Sequence, residues 1–94
     1  MEARIVRTFS KDPKDDEKTH ALRYSFPEDN PDGFSERTVY IIADSSEEAS
    51  RAAKDFIVKS NKRRKRSKIS EAILEDCRCN QIFYLKAEDI ARLG

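Results

Sequence analysis

Seven of the ten residues from 59 to 68 are basic: Lys59, Lys62, Arg63, Arg64, Lys65, Arg66 and Lys68, with no acidic or apolar residue between them. Like charges at this density repel one another, so the run costs stability until an anion relieves it. DNA and RNA supply closely spaced anions and release counterions when they are neutralised. Five consecutive cations, Lys62 to Arg66, can meet phosphates in any backbone conformation, although they carry no base-reading information by themselves. The expected partner is therefore nucleic acid or a nucleoprotein, with those seven side chains as the binding residues. An acidic protein surface would satisfy the same charges, including residues 12–17 or 28–32 of a second copy. A solvated connector between helices needs no partner at all. In a eukaryotic or viral source the run also fits a nuclear-import signal.

The other chemistry-bearing residues point away from catalysis. His20 is the only histidine and ends a polar stretch, which predicts a surface residue. Cys77 and Cys79 are separated by Arg78 alone, a spacing that suits neither the usual zinc pair nor a mutual disulfide. Adjacent carboxylates recur at Asp15-Asp16-Glu17, Glu28-Asp29, Glu47-Glu48, Glu75-Asp76 and Glu88-Asp89, and none adjoins an apolar pocket signal that would raise a pKa for acid–base work. Two glycines in the whole chain leave no glycine-rich phosphate cradle. No catalytic residue, metal or cofactor is expected. The expected function is that of a small binding protein and not an enzyme. The alternative is a protein–protein effector, such as an adaptor or inhibitor of a larger complex encoded by a phage or mobile element.

Ninety-four residues suit one domain, here 1–94, and a single core. Leu, Ile, Val and Phe total 20 residues, a lean core for a chain that is 39% charged. Net charge is +1, but residues 1–50 balance at −5 and residues 51–94 at +6. That asymmetry points to a charged partner or to attraction between the two halves. Nothing is apolar for long enough to span a membrane, and Met1 to Ile5 shows no signal-like apolar region. A cytoplasmic protein is expected, or a nuclear one in a eukaryote.

The elements that must position the basic run follow from periodicity. Residues 3–9 read as a strand, and 10–20 as a polar loop. Residues 21–26 alternate, with Leu22, Tyr24 and Phe26 on one face of a half-buried strand. Asn30-Pro31 and Asp32-Gly33 signal turns. Residues 38–43 form the most strand-like segment. Ser45 with Glu48 is a capping box, and Ala49, Ala52, Ala53, Phe56 and Ile57 supply the apolar stripe of the helix behind it. If that helix ran on, Lys59 and Arg63 would fall on its apolar side, so it must break near Asn61 or project beyond the core. A second helix is predicted over 68–78 from Ile69, Ile73 and Cys77 at i, i+4 and i+8, with Asn80 ending it. Residues 81–85 read as a strand and 87–93 as a closing helical turn. The expected class is α+β: a small antiparallel sheet in the order β-β-β-α-α-β, with the helices packed on one face. Tyr24, Tyr40, Phe83 and Tyr84 all fall on strands, so a stacking platform on a sheet face is a further possibility.

Val39 to Asp55, a strand leading into Asp44-Ser45-Ser46-Glu47-Glu48-Ala49-Ser50-Arg51-Ala52-Ala53, resembles in outline the last strand and helix of three-stranded DNA-binding domains such as the plant ethylene-response domain. The likeness covers under a fifth of the chain. That domain's glycines and tryptophans are missing here, and its function is not carried over.

Overall fold

The computed structural model describes residues 3–7, 18–26, 36–64 and 68–93. Residues 8–9 of the expected first strand, 10–17 of the expected first loop, the turns at 27–35, and Lys65 and Arg66 lie outside the described residues. Within them the chain forms β1 (Arg4–Arg7), β2 (His20–Ser25), β3 (Glu36–Ile42), α1 (Ser46–Arg63), β4 (Glu71–Asp76), β5 (Gln81–Lys86) and α2 (Ala87–Ala91). The five strands make one antiparallel sheet in the order β1-β3-β2-β4-β5. The result is a small compact α+β domain.

β2 sits at the centre because its alternation gives it a buried face that pairs on both sides. Leu22 lies opposite Val39 of β3 and opposite Leu74 of β4, and all three side chains are buried. β3 and β4 are both antiparallel to β2, so they run parallel to each other. A parallel pair cannot be joined by a tight turn and needs a crossover, which α1 provides. Ala49, Ala53 and Ile57 of α1 are fully buried in the same cluster as Leu22, Ile41 and Leu74. Two alanines on that line let the helix axis approach the sheet closely. Ile90 of α2 joins this cluster.

The start of α1 agrees with the capping signal, with one shift. The Ser45 hydroxyl accepts the Glu48 N–H at 3.2 Å, while the Glu48 carboxylate reaches back to the Asp44 N–H at 3.3 Å, one residue before the expected cap nitrogen. Such a cap contributes about 1 kcal/mol.

The expected second helix over 68–78 is corrected: Glu71–Asp76 is strand β4, and the chain order is β-β-β-α-β-β-α. The supposed stripe does not hold together. Ile69 is buried, Ile73 is half-buried on the other face of the sheet, and Cys77 is exposed. Burial follows Ala72 and Leu74, a period of two. Glu, Ala and Leu favour a helix locally, but a strand here completes hydrogen-bonded ladders on both sides, with β2 and β5. Asn80 is likewise part of a hairpin and not a helix stop. Cys79 N–H donates to the Asp76 carbonyl at 3.0 Å and Asp76 N–H to the Asn80 carbonyl at 3.0 Å. The Asp76 carboxylate accepts from the Asn80 and Arg78 backbones, each at 2.9 Å, and from the Asn80 amide at 3.1 Å. Those donors, the Asn80 N–H foremost, hold Asp76 below its usual carboxylate range.

This hairpin is a turn followed by a left-handed residue, a position that normally takes glycine. Cys79 occupies it with φ of 65°. Relief of the Cβ clash is offset in part by the freer unfolded chain of a glycine variant. Cys79→Gly is therefore expected to raise stability by about 0.5–1 kcal/mol, read as a higher urea midpoint at an unchanged slope.

His20 is also corrected: it is 7% exposed, inside the fold and not on its surface. It begins β2 and ties it to the start of α1. The Thr19 hydroxyl donates to the Ile41 carbonyl at 3.2 Å and accepts the Ala43 N–H at 3.0 Å. With its one proton committed, Thr19 can only accept from His20 Nδ1, 2.8 Å away. His20 Nε2 is then the acceptor for the Ser46 hydroxyl at 3.2 Å. Burial lowers the imidazole below its usual 6.5, against a smaller opposing pull from the Asp76 charge. A lowered folded value means the unfolded chain binds more protons in the interval between the two values, so stability rises with pH there. The contribution is complete above about pH 6.5 and is lost as the pH falls through the folded value. The urea midpoint of the wild type is expected to drop between pH 7.5 and 5, and that drop should shrink in His20→Gln.

Candidate nucleic-acid interface

α1 neither breaks at Asn61 nor buries its cations. It continues through Arg63, with Lys62 and Arg63 in its last turn, where the carbonyl end of the helix favours positive charge. Lys59, Lys62, Arg63 and Lys68 are exposed, and Arg64 is half-buried. The segment is pinned at both ends. The Asn61 side chain accepts the Ile69 N–H at 2.8 Å, and Ser70 N–H donates to the Ser25 carbonyl at 2.9 Å. The end of α1 at Arg63 and the segment 68–70 therefore lie together, beside the end of β2. Asn61, read in the sequence only as a possible break, is the residue that fixes the base of the loop.

Lys59 lies 3.0 Å from Asp55 one turn back. Both side chains are largely in solvent, so the pair stabilises by only a few tenths of a kcal/mol and is screened by salt. It leaves the surrounding charge positive.

Beside this helix end the described residues form a groove of about 1140 Å³ between the C-terminal half of α1 and the β1–β3 side of the sheet. Its apolar lining includes Ile5, Tyr24, Val39 and Phe56, and its charged lining is Arg37, Lys59, Arg63 and Arg64 against Glu36 and Asp55. The sheet order creates it. β1 is the edge strand beyond β3, while the fully buried residues of α1 sit over the middle of the sheet.

Aromatic rings surround the same place. Tyr24 meets Phe56 and Phe26 edge-on, with centroids 5.5 and 5.7 Å apart. The Arg64 guanidinium lies 4.2 Å from the Phe26 centroid and that of Arg37 5.6 Å from it. Each such contact contributes about 0.5–1 kcal/mol at an exposed site, and together they draw Arg64 towards the sheet.

The structure thus places Lys59, Lys62, Arg63, Arg64 and Lys68 at one end of the molecule, while Lys65 and Arg66 lie outside the described residues. Sequence reading missed Arg37, Phe26 and Phe56 as members of this site. Arg37 sits in an ordinary strand, and Phe56 is indistinguishable in sequence from the other residues of the helix stripe. The four strand aromatics do not form one platform. Tyr24 and Phe83 point to the α1 side, by their register with Ala72 and Leu74, and Tyr40 and Tyr84 to the other.

The opposite sheet face carries Tyr40, Ile42, Ile73 and Tyr84, together with the Arg23–Glu75 ion pair at 2.5 Å and a hydrogen bond from Tyr84 to Glu71. Tyr84 is the exposed large apolar side chain among the described residues. Lys18 lies 4.2 Å from the Tyr40 ring centroid. Among the described residues no three His, Cys, Asp or Glu side chains converge on a metal position. No described helix is long and apolar enough to cross a membrane. Cys77, the last residue of the expected helix stripe, is exposed with Cys79 on the β4–β5 turn. No protein-family model, curated protein or solved structure matches the chain.

Proposed function

We propose that this chain is a small non-enzymatic binding protein that contacts nucleic acid, free or within a nucleoprotein, through the basic end of α1. In this reading both helices cover the Leu22 face of the sheet, and Lys59, Lys62, Arg63, Arg64 and Lys68 meet phosphates at their margin. The observation that supports it is the pair of bonds from Ile69 to Asn61 and from Ser70 to Ser25, which returns the chain to the end of α1, where Lys59, Arg63 and Arg64 line a groove to which the sheet adds Arg37. A pinned cluster of like charge is costly without a counter-charge and is prepared for a polyanion. The test is a titration of the protein into fluorescent single-stranded DNA, duplex DNA and RNA at low salt. Binding to at least one is expected. Failure with all three rejects the reading.

A second reading has its own support. The face bearing Tyr40, Ile42, Ile73 and Tyr84 receives none of the buried helical residues, which belong to the Leu22 cluster. A protein–protein effector would use such a half-apolar face or the basic loop against an acidic surface. It predicts one stoichiometric partner in a pull-down, an interface of roughly 800 Å² per side, and little affinity for free nucleic acid.

A further inference from the structure

We infer that the groove beside the basic helix end receives unstacked bases, so that the ligand is a single strand and not a duplex. This rests on the nucleic-acid reading above and deepens it. Three observations combine. Cations stand on both sides of the groove: Lys59, Arg63 and Arg64 along α1, and Arg37 on β3. The lining between them is apolar and aromatic, with half-buried Phe56 against Tyr24. At the same end, Phe26 is flanked by the guanidinium groups of Arg37 and Arg64.

Rings and guanidinium planes are the surfaces on which unpaired bases stack, and cations alongside them follow the backbone. A duplex uses the cations only. Its bases keep their faces covered by their neighbours and cannot offer one to Phe56 or to the guanidinium planes beside Phe26. Among the described residues the hydrogen-bonding groups of the lining, besides its cations, are Thr38, Ser60 and the two carboxylates, and stacking on rings tolerates any base. Binding with little sequence preference is therefore expected, and both DNA and RNA strands offer the required chemistry.

The test uses the full chain and four labelled probes of one length: a DNA strand, the matching RNA strand, the duplex, and a DNA strand with abasic sites at alternate positions. The abasic strand keeps every phosphate and loses half its stacking faces. The intact strands are expected to bind about tenfold or more tighter than both the duplex and the abasic strand at equal salt. The RNA and DNA arms tell the two sources apart. In Phe56→Leu, checked for folding by circular dichroism, the advantage of intact over abasic DNA should shrink. Because the main comparison uses the wild type, it holds even if that variant fails to fold. Equal binding of intact, abasic and duplex probes overturns the groove inference while leaving the basic helix end as a phosphate site. Binding to none of the four overturns that reading as well. A polyglutamate peptide that binds where no strand does would place a protein in the groove and overturn both.

Discussion

Changing Lys62, Arg63, Arg64, Lys65 and Arg66 together to Ser is expected to weaken nucleic-acid binding by roughly 10³-fold or more at 50 mM salt. Each neutralised phosphate of a single strand contributes about 0.7 to the log–log salt slope, and of a duplex about 0.9. About six contacts give a slope near −4 on a strand and near −5 on a duplex. Removing five cations leaves it near −1. The fold should tolerate the change. Lys62 and Arg63 are exposed, surface substitutions usually stay within about 0.5 kcal/mol, and relief of mutual repulsion offsets part of what is lost. Arg64 is the exception, since its guanidinium covers Phe26, a contact of about 0.5–1 kcal/mol. A folded variant that binds as tightly as the wild type would remove the loop from the interface. A folded variant that loses a protein partner, with no change towards nucleic acid, would favour the effector reading.

The second large effect concerns β4. Leu74→Ala is expected to cost about 3 kcal/mol or more, and Ile73→Ala about 1 kcal/mol. Leu74 is fully buried between Leu22 and Phe83, and truncating a buried leucine costs about 2–5 kcal/mol through lost transfer energy and the cavity left behind. Ile73 is half-buried on the opposite face, so much of its side chain is already in water. Small domains have roughly 5–15 kcal/mol in total, and for one of this size 1 kcal/mol moves the melting temperature by about 4–8 °C. Leu74→Ala should therefore lower it by more than about 12 °C, with a much smaller shift for Ile73→Ala. The reverse order of costs would restore a helix over 68–78, in which Ile73 is the core residue.

That contrast also shows where sequence reading succeeds and where it stops. The alternation of Leu22 and Tyr24, the apolar run at 38–43 and the Ser45–Glu48 cap are local signals, and each corresponds to an element within a residue or two. The segment 71–76 carries both periods at once. Ile69 and Ile73 suggest a helix, while Ala72 and Leu74 suggest a strand. Only the two flanking ladders decide between them: β5 follows directly through the 77–80 turn, but β2 lies far back in the chain. His20 was unreadable for the same reason: its partner Ser46 is 26 residues away. The basic run was legible from composition alone. The groove was not, because Phe26, Arg37 and Phe56 come from the end of β2, β3 and α1 and meet only once the crossover is made.

The most direct measurement is the affinity of the wild-type protein for a labelled single strand across a series of salt concentrations. A steep linear fall, with a log–log slope near −4, is the result expected of about six phosphates held by the basic end of α1. An affinity that stays level from low to high salt, or no binding at any salt, would contradict it.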